Sequence, residues 1–462
     1  MDWRGRKVVV LGLGDTGLSM ARWLTRRGAA VRAADTRAAP PHAGILAREL
    51  PQVGLAAGPF TDATLAGADL IAISPGIDRR SGPVAQAIRR GVPVAGDVEL
   101  FAQALKDRAA RSSAPPPRIL AITGSNGKST VTAMTGDMAR AAGRETVVAG
   151  NIGVPVLDAL ETAEEAAFPE VFVLELSSFQ LESTQSLEPD AATVLNVTED
   201  HLDRYDGLAA YAGAKARIFS GHGAQVLNRD DVLSLGMKRA GREVITFGAG
   251  APRDPSEWGI ATEGARQLAH GARRLLDIRE LPLAGLHNAT NALAAMALAH
   301  AIGLPHEPLV AALRRFHGLP HRMRKLAEIG GVAYYDDSKG TNVGATVAAL
   351  SGMDRPVVLI AGGDGKGQDF SPLAAAVEAR ARAVVLIGRD APMIARVLAV
   401  CGIPVERAGD MEQAVGMAAA AAAAGDAVLL SPACASYDMF RDYIQRAEHY
   451  AAAVHRLGEA RR

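Results

Sequence analysis

Short apolar runs alternate with amphipathic, helix-like runs along nearly the whole chain. KVVVLGLG, DLIAIS, RILAIT, VFVLEL, ATVLNVT, PVVLIAGG, RAVVLIG and DAVLLSP each read as a buried strand, with small or polar residues before the next helix. This rhythm predicts an α/β fold of parallel sheets with helices on both faces. In such sheets ligands gather beyond the carboxyl ends of the strands, where these polar residues fall.

Two breaks interrupt the rhythm. RSSAPPPR, Arg111 to Arg118, is stiff and polar and follows the helix-like DVELFAQALKDRAA, so it reads as a linker. HGLPHR, ending at Arg322, cannot continue a helix through Gly318 and Pro320. Three domains follow, over residues 1–110, 111–318 and 319–462. The alanine run Ala418 to Ala424 reads as plain helix.

Bulk composition narrows the function classes. A chain of 462 residues exceeds a single core. Lys+Arg and Asp+Glu are 50 each, so no global field recruits nucleic acid or a membrane surface. Two cysteines cannot form a disulfide framework. The N-terminus lacks a signal-peptide cleavage pattern, and no apolar stretch reaches the about 18 residues of a membrane helix. The expectation is a cytoplasmic enzyme with no nucleic-acid or membrane partner.

Two glycine loops carry the candidate chemistry. VVVLGLGDTGLSMARWL places Gly12, Gly14 and Gly17 as G-x-G-x-x-G between strand and helix, with Asp35 at the end of a second strand. That matches a dinucleotide fingerprint, in which the acid takes a ribose hydroxyl. Asp35-Thr36-Arg37 joins an acceptor, a hydroxyl and a cation, which also suits another nucleotide diphosphate. A tight turn that binds nothing is the third reading. SPGI, Ser74 to Ile77, ends another strand and could line the same cleft.

The second loop, TGSNGKST, departs from the standard phosphate loop. That loop has four residues between its glycines; here only Ser125 and Asn126 separate Gly124 from Gly127. It keeps glycines for close approach, Lys128 for charge, and Ser129 or Thr130 as a hydroxyl for magnesium. Glu175 interrupts an apolar strand, and a buried carboxylate needs a cationic partner. His201 follows another strand, and Lys215 sits in a helix of small and apolar residues. Taken singly, His201 reads as a loop histidine and Lys215 as a snorkelling lysine. Asn288 and Asn291 either cap a helix or present amide edges to adenine.

Together GSNGKST, GNIGVP, LELSSFQLE, NVTEDHLDRY, YAGAKARIF, GLHNATNALAA, LPHRM, DDSKGTN, GGDGKG and SPACASYD resemble the Mur ligase family over essentially the whole chain. These are the ATP-dependent amino-acid-adding enzymes of bacterial peptidoglycan precursor synthesis. A shortened G-x-x-G-K-[ST] loop is a feature of that family. ELSSFQLE, DDSKGTN and SPACASYD resemble the member whose substrates are UDP-N-acetylmuramoyl-L-alanine and D-glutamate.

The resemblance implies an N-terminal Rossmann-like UDP-binding domain, a central P-loop ATPase-like domain and a C-terminal Rossmann-like amino-acid-binding domain, acting as a monomer. Thr16, Asp35, Thr36, Arg37, Ser74 and Gly76 would hold the UDP part, with Asn151 near the muramoyl group. Gly124, Asn126, Gly127, Lys128, Ser129 and Thr130 would hold ATP phosphates; Asn288 and Asn291 would face adenine, and Arg322 and Asp337 would close over phosphate and ribose. Ser129, Glu175 and His201 would bind two Mg²⁺ ions, with Lys215 as a carbamate formed from CO₂. Lys339, Thr341, Lys366, Ser436 and Tyr437 would surround D-glutamate. Lys128, His201 and Lys215 would carry the catalysis, although a metal-bound imidazole could not also serve as base. Asp15 and Tyr437 stand where apolar residues are familiar, and an acid beside a diphosphate should point away. Two rival classes remain: a nicotinamide-dependent dehydrogenase with an accessory ATP domain, and a regulatory nucleotide-binding module.

Overall fold

The apolar runs become strands of three separate sheets. The structure, a computed structural model, describes residues 2–80, 82–283 and 285–460. The first sheet orders its strands Gly54–Ala57, Ala30–Asp35, Lys7–Leu11, Leu70–Ile73 and Val94–Ala95, all parallel. Chain order reverses between Lys7–Leu11 and Leu70–Ile73, so a crevice opens beyond their carboxyl ends. Gly12 and Ser74 stand there, and Ser74 Oγ donates to Gly12 O at 2.9 Å. A Cβ at Gly17 would fall 1.7 Å from Gly12 O, so only glycine lets the following helix, Asp15–Arg26, pack onto the turn.

In the nine-stranded central sheet, Arg118–Thr123 lies between Val171–Glu175 and Ala191–Val194, parallel to both. Three adjacent strands therefore deliver the phosphate-loop candidate, Glu175 and the loop carrying His201 to one edge of the sheet. The expectation of purely parallel sheets needs correction. Trp258–Ala261, Gln267–His270 and Arg273–Asp277 pair antiparallel at the far edge. QLAH and RRLLD are short and polar, and so leave no apolar run to read.

The third sheet runs Arg324–Ile329, Val332–Asp336, Ala427–Leu430, Val357–Gly362, Ala381–Ile387, Val405–Arg407. Its first pair is antiparallel, joined by Gly330-Gly331 with both φ positive, as a two-residue hairpin turn requires. The alanine run is a second correction. Its helix, Met411–Ala421, stops inside the run. Asp426 Oδ2 accepts from Ala423 N at 2.8 Å while Gly425 takes φ 95°, and this turn into the next strand outcompetes alanine's helix propensity.

The N-terminal and central sheets share one apolar core. Phe101, on the helix Asp97–Arg111, meets Phe172 of the central sheet edge-on with ring centroids 5.1 Å apart. Around this core Ser19 donates to Asp158 at 2.7 Å and Arg26 to Glu161 at 2.7 Å. Among the described residues, no apolar cluster joins the C-terminal sheet to the other two. No described helix is long and apolar enough to cross a membrane.

Glu99 ties the first two domains most densely. Its carboxylate accepts from Gln185 N at 2.6 Å, Ser186 N at 2.8 Å and Ser186 Oγ at 2.5 Å. Glu99→Ala strands these donors and should cost about 3 kcal/mol of unfolding free energy. Denaturant titration checks this; a loss below about 1 kcal/mol would mean that water replaces the carboxylate freely.

Candidate active site

The shortened loop is held on both sides. Asn126 N donates to Asn196 Oδ1 at 2.8 Å, and Ser125 Oγ to Thr198 O at 3.0 Å. Gly127 takes φ 85°, and a Cβ there would lie 2.6 Å from Asn291 Oδ1. Conformation and crowding thus both demand glycine. The helix Lys128–Ala141 begins next, with Ser129 and Thr130 buried in its first turn. The unpaired N–H groups of such a turn favour an anion. Lys128 Nζ donates to Gly124 O and Ser125 O, each at 2.9 Å.

Charged groups converge on this loop. Glu175 is 1% exposed; Oε1 accepts from Asn151 Nδ2 at 2.8 Å, and Oε2 has no partner among the described residues. Lys215, also 1% exposed, donates from Nζ to Gly124 O at 2.8 Å and stands 4.3 Å from the Tyr211 ring centroid. Burial, then the nearby Lys128 charge, hold its amine well below the ordinary lysine range. His201 sits at φ 55°, edge-on to Phe179 with centroids 4.8 Å apart. Burial lowers its pKa to about 4 against the pull of Asp200. At neutral pH the imidazole is therefore neutral, with a proton on one nitrogen and a lone pair on the other, as a metal ligand must be.

The third domain reaches the same hydroxyl twice. Arg322 Nη2 donates to Ser129 Oγ at 3.1 Å and Lys339 Nζ to it at 3.2 Å. Arg322 Nε is buried without a partner among the described residues. Burial and the Arg322 charge bring Lys339 down to about 8. Asn342 Nδ2 donates to Asn126 Oδ1 at 3.1 Å and to Asp200 Oδ2 at 3.3 Å. Lys366 Nζ is hydrogen-bonded to Asp200 Oδ1. Reading the residues one by one passed over Asp200 and Asn342. Both stand in quoted motifs, and an acid beside His201 just past a strand was the available signal.

A cleft between the domains is lined by Gly127, Thr130, His287, Asn288, Asn291, Arg322 and Asp337. Asn288 is not the cap of its helix: Leu286–Ala301 is capped at Gly285, and Asn288 lies in the first turn, accepting from Asn291 Nδ2 at 3.4 Å. The five residues grouped around D-glutamate are distributed more widely. Lys339 faces Ser129, Thr341 N donates to Lys339 O at 3.0 Å, Lys366 faces Asp200, Ser436 is buried, and Tyr437 is 76% exposed.

In the first domain Thr16 is partly exposed and Thr36 and Gly76 are exposed beside the crevice. Asp35 is not a free acceptor. Its carboxylate takes Leu13 N at 2.7 Å and Arg37 N, Nε and Nη2 at 2.9, 2.8 and 2.6 Å. Those bonds, the Arg37 side chain's above all, hold its pKa near about 2. Asp15 points to solvent and meets His42 Nε2 at 2.7 Å.

Three domain models match in order: the Mur ligase MurD-like N-terminal domain over residues 6–96, the Mur ligase middle domain over 122–299, and the Mur ligase glutamate ligase domain over 321–434. The chain belongs to the Mur ligase family. The UDP-N-acetylmuramoylalanine--D-glutamate ligase of Thiobacillus denitrificans is 57% identical over 99% of this chain and 98% of its own. The ligase of the same name from Nitrosospira multiformis is 55% identical over 100% and 98%. Solved Mur-type folds superpose at lower identity. The pseudomurein peptide ligase type C of Methanothermus fervidus gives a TM-score of 0.60 at 17% identity, covering 98% of this chain and 100% of its own. The UDP-N-acetylmuramate-alanine ligase of Thermotoga maritima gives 0.60 at 19%, covering 98% and 99%. Like other Mur ligases, the chain uses ATP.

Asp337 yields a pH test. Burial raises its pKa from the ordinary 3.8 to about 7, while Ser431 Oγ donates to it at 2.7 Å. The folded value lies above the unfolded one, so its contribution to stability is whole below about 3.8 and is lost as pH climbs through about 7. Asp337→Asn, which mimics the protonated acid, should gain on the parent chain as pH rises across that window. A constant difference in unfolding free energy would mean that the carboxyl stays ionised throughout.

Proposed function

We propose that this Mur ligase joins D-glutamate to UDP-N-acetylmuramoyl-L-alanine, converting ATP to ADP and phosphate through an acyl-phosphate intermediate. The observation that carries this reading is the pair of third-domain cations, Arg322 and Lys339, on the Ser129 hydroxyl of the second domain's phosphate loop. Relatives above 50% identity over nearly the full chain bear that activity in their names. Residues 1–110 take the UDP substrate, 111–318 take ATP and 319–462 bring the amino acid. We read the enzyme as a monomer, and nucleotide substrates of this kind support a cytoplasmic location.

The substrate's alanyl carboxylate attacks the γ-phosphorus, giving the acyl phosphate and ADP. The D-glutamate amine then attacks the acyl carbon, and phosphate leaves the tetrahedral intermediate. The first step brings anions together, so charge neutralisation is the main requirement. Lys128 and the loop N–H groups hold the phosphates, and Arg322 and Lys339 close over them. Closure also keeps water from the acyl phosphate. Asn288 and Asn291 face the adenine, and Asp337 the ribose. Lys366, Thr341, Ser436 and Tyr437 are the groups left for D-glutamate.

The residues present fit two Mg²⁺ ions. Glu175 Oε2 is a buried oxygen without a partner among the described residues, and Ser129 Oγ is adjacent to the phosphate site. Glu175, Ser129, His201 and a carbamylated Lys215 would hold the metal, which when bound neutralises charge on the transferred phosphoryl group. Lys215 suits carbamylation because burial favours its neutral amine. That amine bonds to CO₂ and releases a proton, leaving an anionic oxygen donor.

Phosphate release measured across a panel of amino acids should be fastest with D-glutamate, by more than tenfold over L-glutamate and diaminopimelate. Faster release with diaminopimelate would overturn the substrate assignment. Lys215→Ala should lose most activity with a Tm near that of the parent chain, and acetate or propionate should restore part of it. Near-normal turnover without added carboxylate would sink the carbamate.

A further inference from the structure

We propose that His270, His300 and His306 form a binding site for one late transition-metal ion, with zinc as the reference ion, at the end of the central domain remote from the phosphate loop. The three imidazoles come from three elements. His270 ends the strand Gln267–His270, His300 lies in the last turn of Leu286–Ala301, and His306 opens His306–Arg315. His300 stands nine residues beyond Asn291 on one helix, about 14 Å along its axis. The cluster is therefore separate from the nucleotide cleft.

The geometry suits a metal. One ligand nitrogen from each ring lies within 4.8 Å of the other two. His270 Nδ1 and His306 Nε2 are 3.0 Å apart. Tetrahedral zinc with nitrogen ligands at 2.0–2.1 Å needs about 3.3 Å between them. His300 Nδ1 sits 3.1 Å from Leu304 O. A carbonyl can only accept, so Nδ1 carries the proton and Nε2 keeps its lone pair. Such an outer carbonyl commonly orients a metal-binding histidine. Trp258 lies flat against His270, with centroids 4.2 Å apart and planes 6° apart, and fixes that ring.

The Arg273 charge beside the cluster is partly balanced by Glu307. Arg273 Nη1 approaches His306 Nδ1 at only 3.5 Å, and its other terminal nitrogen is held by Glu307 at 2.6 Å. Metal at His306 Nε2 moves the ring proton to Nδ1; it replaces the hydrogen bond to His270 Nδ1 and forfeits the long contact with Arg273. Burial lowers His270 to about 4 and lowers His306 as well, so protons compete little at neutral pH. Three imidazoles with no oxygen donor select zinc, nickel or copper over magnesium. The ion would fasten the antiparallel edge of the central sheet to the two helices that close the domain.

Zinc chloride titrated calorimetrically into the full-length protein, with magnesium in excess, provides the test. The parent chain should bind one equivalent more than His306→Gln, because His201 is present in both. Cobalt in place of zinc should give the intense visible bands of a four-coordinate ion in the parent chain and not in the variant. Zinc should raise the Tm of the parent chain only, and phosphate release by His306→Gln without zinc should be unchanged. Should His306→Gln fold poorly, His300→Gln gives the same comparison. Equal stoichiometry and equal cobalt spectra in parent and folded variant would overturn the proposal and leave an aromatic stack only.

Discussion

The site depends on the burial of ionised groups around one carbonyl. Lys128 and Lys215 both donate to Gly124 O, and Glu175 projects an oxygen with no partner among the described residues from the adjacent strand. Removing such groups from water costs several kcal/mol per ion unless opposite charges and hydrogen bonds compensate. Two lysines sharing one carbonyl do not compensate each other; burial, then the Lys128 charge, lowers the affinity of Lys215 for a proton. A ligand set carrying both signs, polyphosphate and divalent cation, resolves both deficits at once. The parallel order of Arg118–Thr123, Val171–Glu175 and Ala191–Val194 creates this concentration, because three adjacent strand ends cannot spread their loops apart.

Domain packing distributes rigidity to match. The first two domains are joined by shared apolar burial, which is non-directional and hard to reverse in part. The third domain meets the phosphate loop through hydrogen bonds from Arg322, Lys339 and Asn342. Hydrogen bonds of this kind are each worth only about 0.5–3 kcal/mol net, because water replaces the lost partner. A substrate can therefore open that seam without disturbing either core. The segment between Arg315 and Arg324, with Gly318 and Pro320, is where such a rotation would be absorbed.

Much of this was readable from the chain because strand-then-loop chemistry is local. All eight apolar runs form strands, and Gly124, Lys128, Ser129, Glu175, His201 and Lys215 fall around one loop. Assignments that depend on contacts between distant segments were not readable. The resemblance groups Lys339 with D-glutamate, and no local pattern displays the contact of its Nζ with Ser129, 210 residues away. Asp200 went unnoticed although it adjoins His201, and its contact with Lys366 of another domain leaves no local trace. The antiparallel edge strands were missed because polar four- and five-residue strands carry no periodic signal.

The first glycine loop shows how a fingerprint can be satisfied and still not specify a ligand. G-x-G-x-x-G fixes backbone geometry, and the close approach at Gly17 meets that demand fully. Discrimination among nucleotides rests on the acid at the end of the second strand. Here that acid is consumed inside the fold: Leu13 N and three Arg37 nitrogens occupy both oxygens of Asp35. A carboxylate so engaged, with its pKa held near about 2, is a poor acceptor for the ribose diol of a dinucleotide. What it does instead is anchor an arginine whose side chain is half exposed at the crevice mouth, beside Thr36. A fixed cation beside a hydroxyl can meet a phosphate, so the contacts that occupy the acid leave a rim fitted to bind phosphate more than a ribose diol.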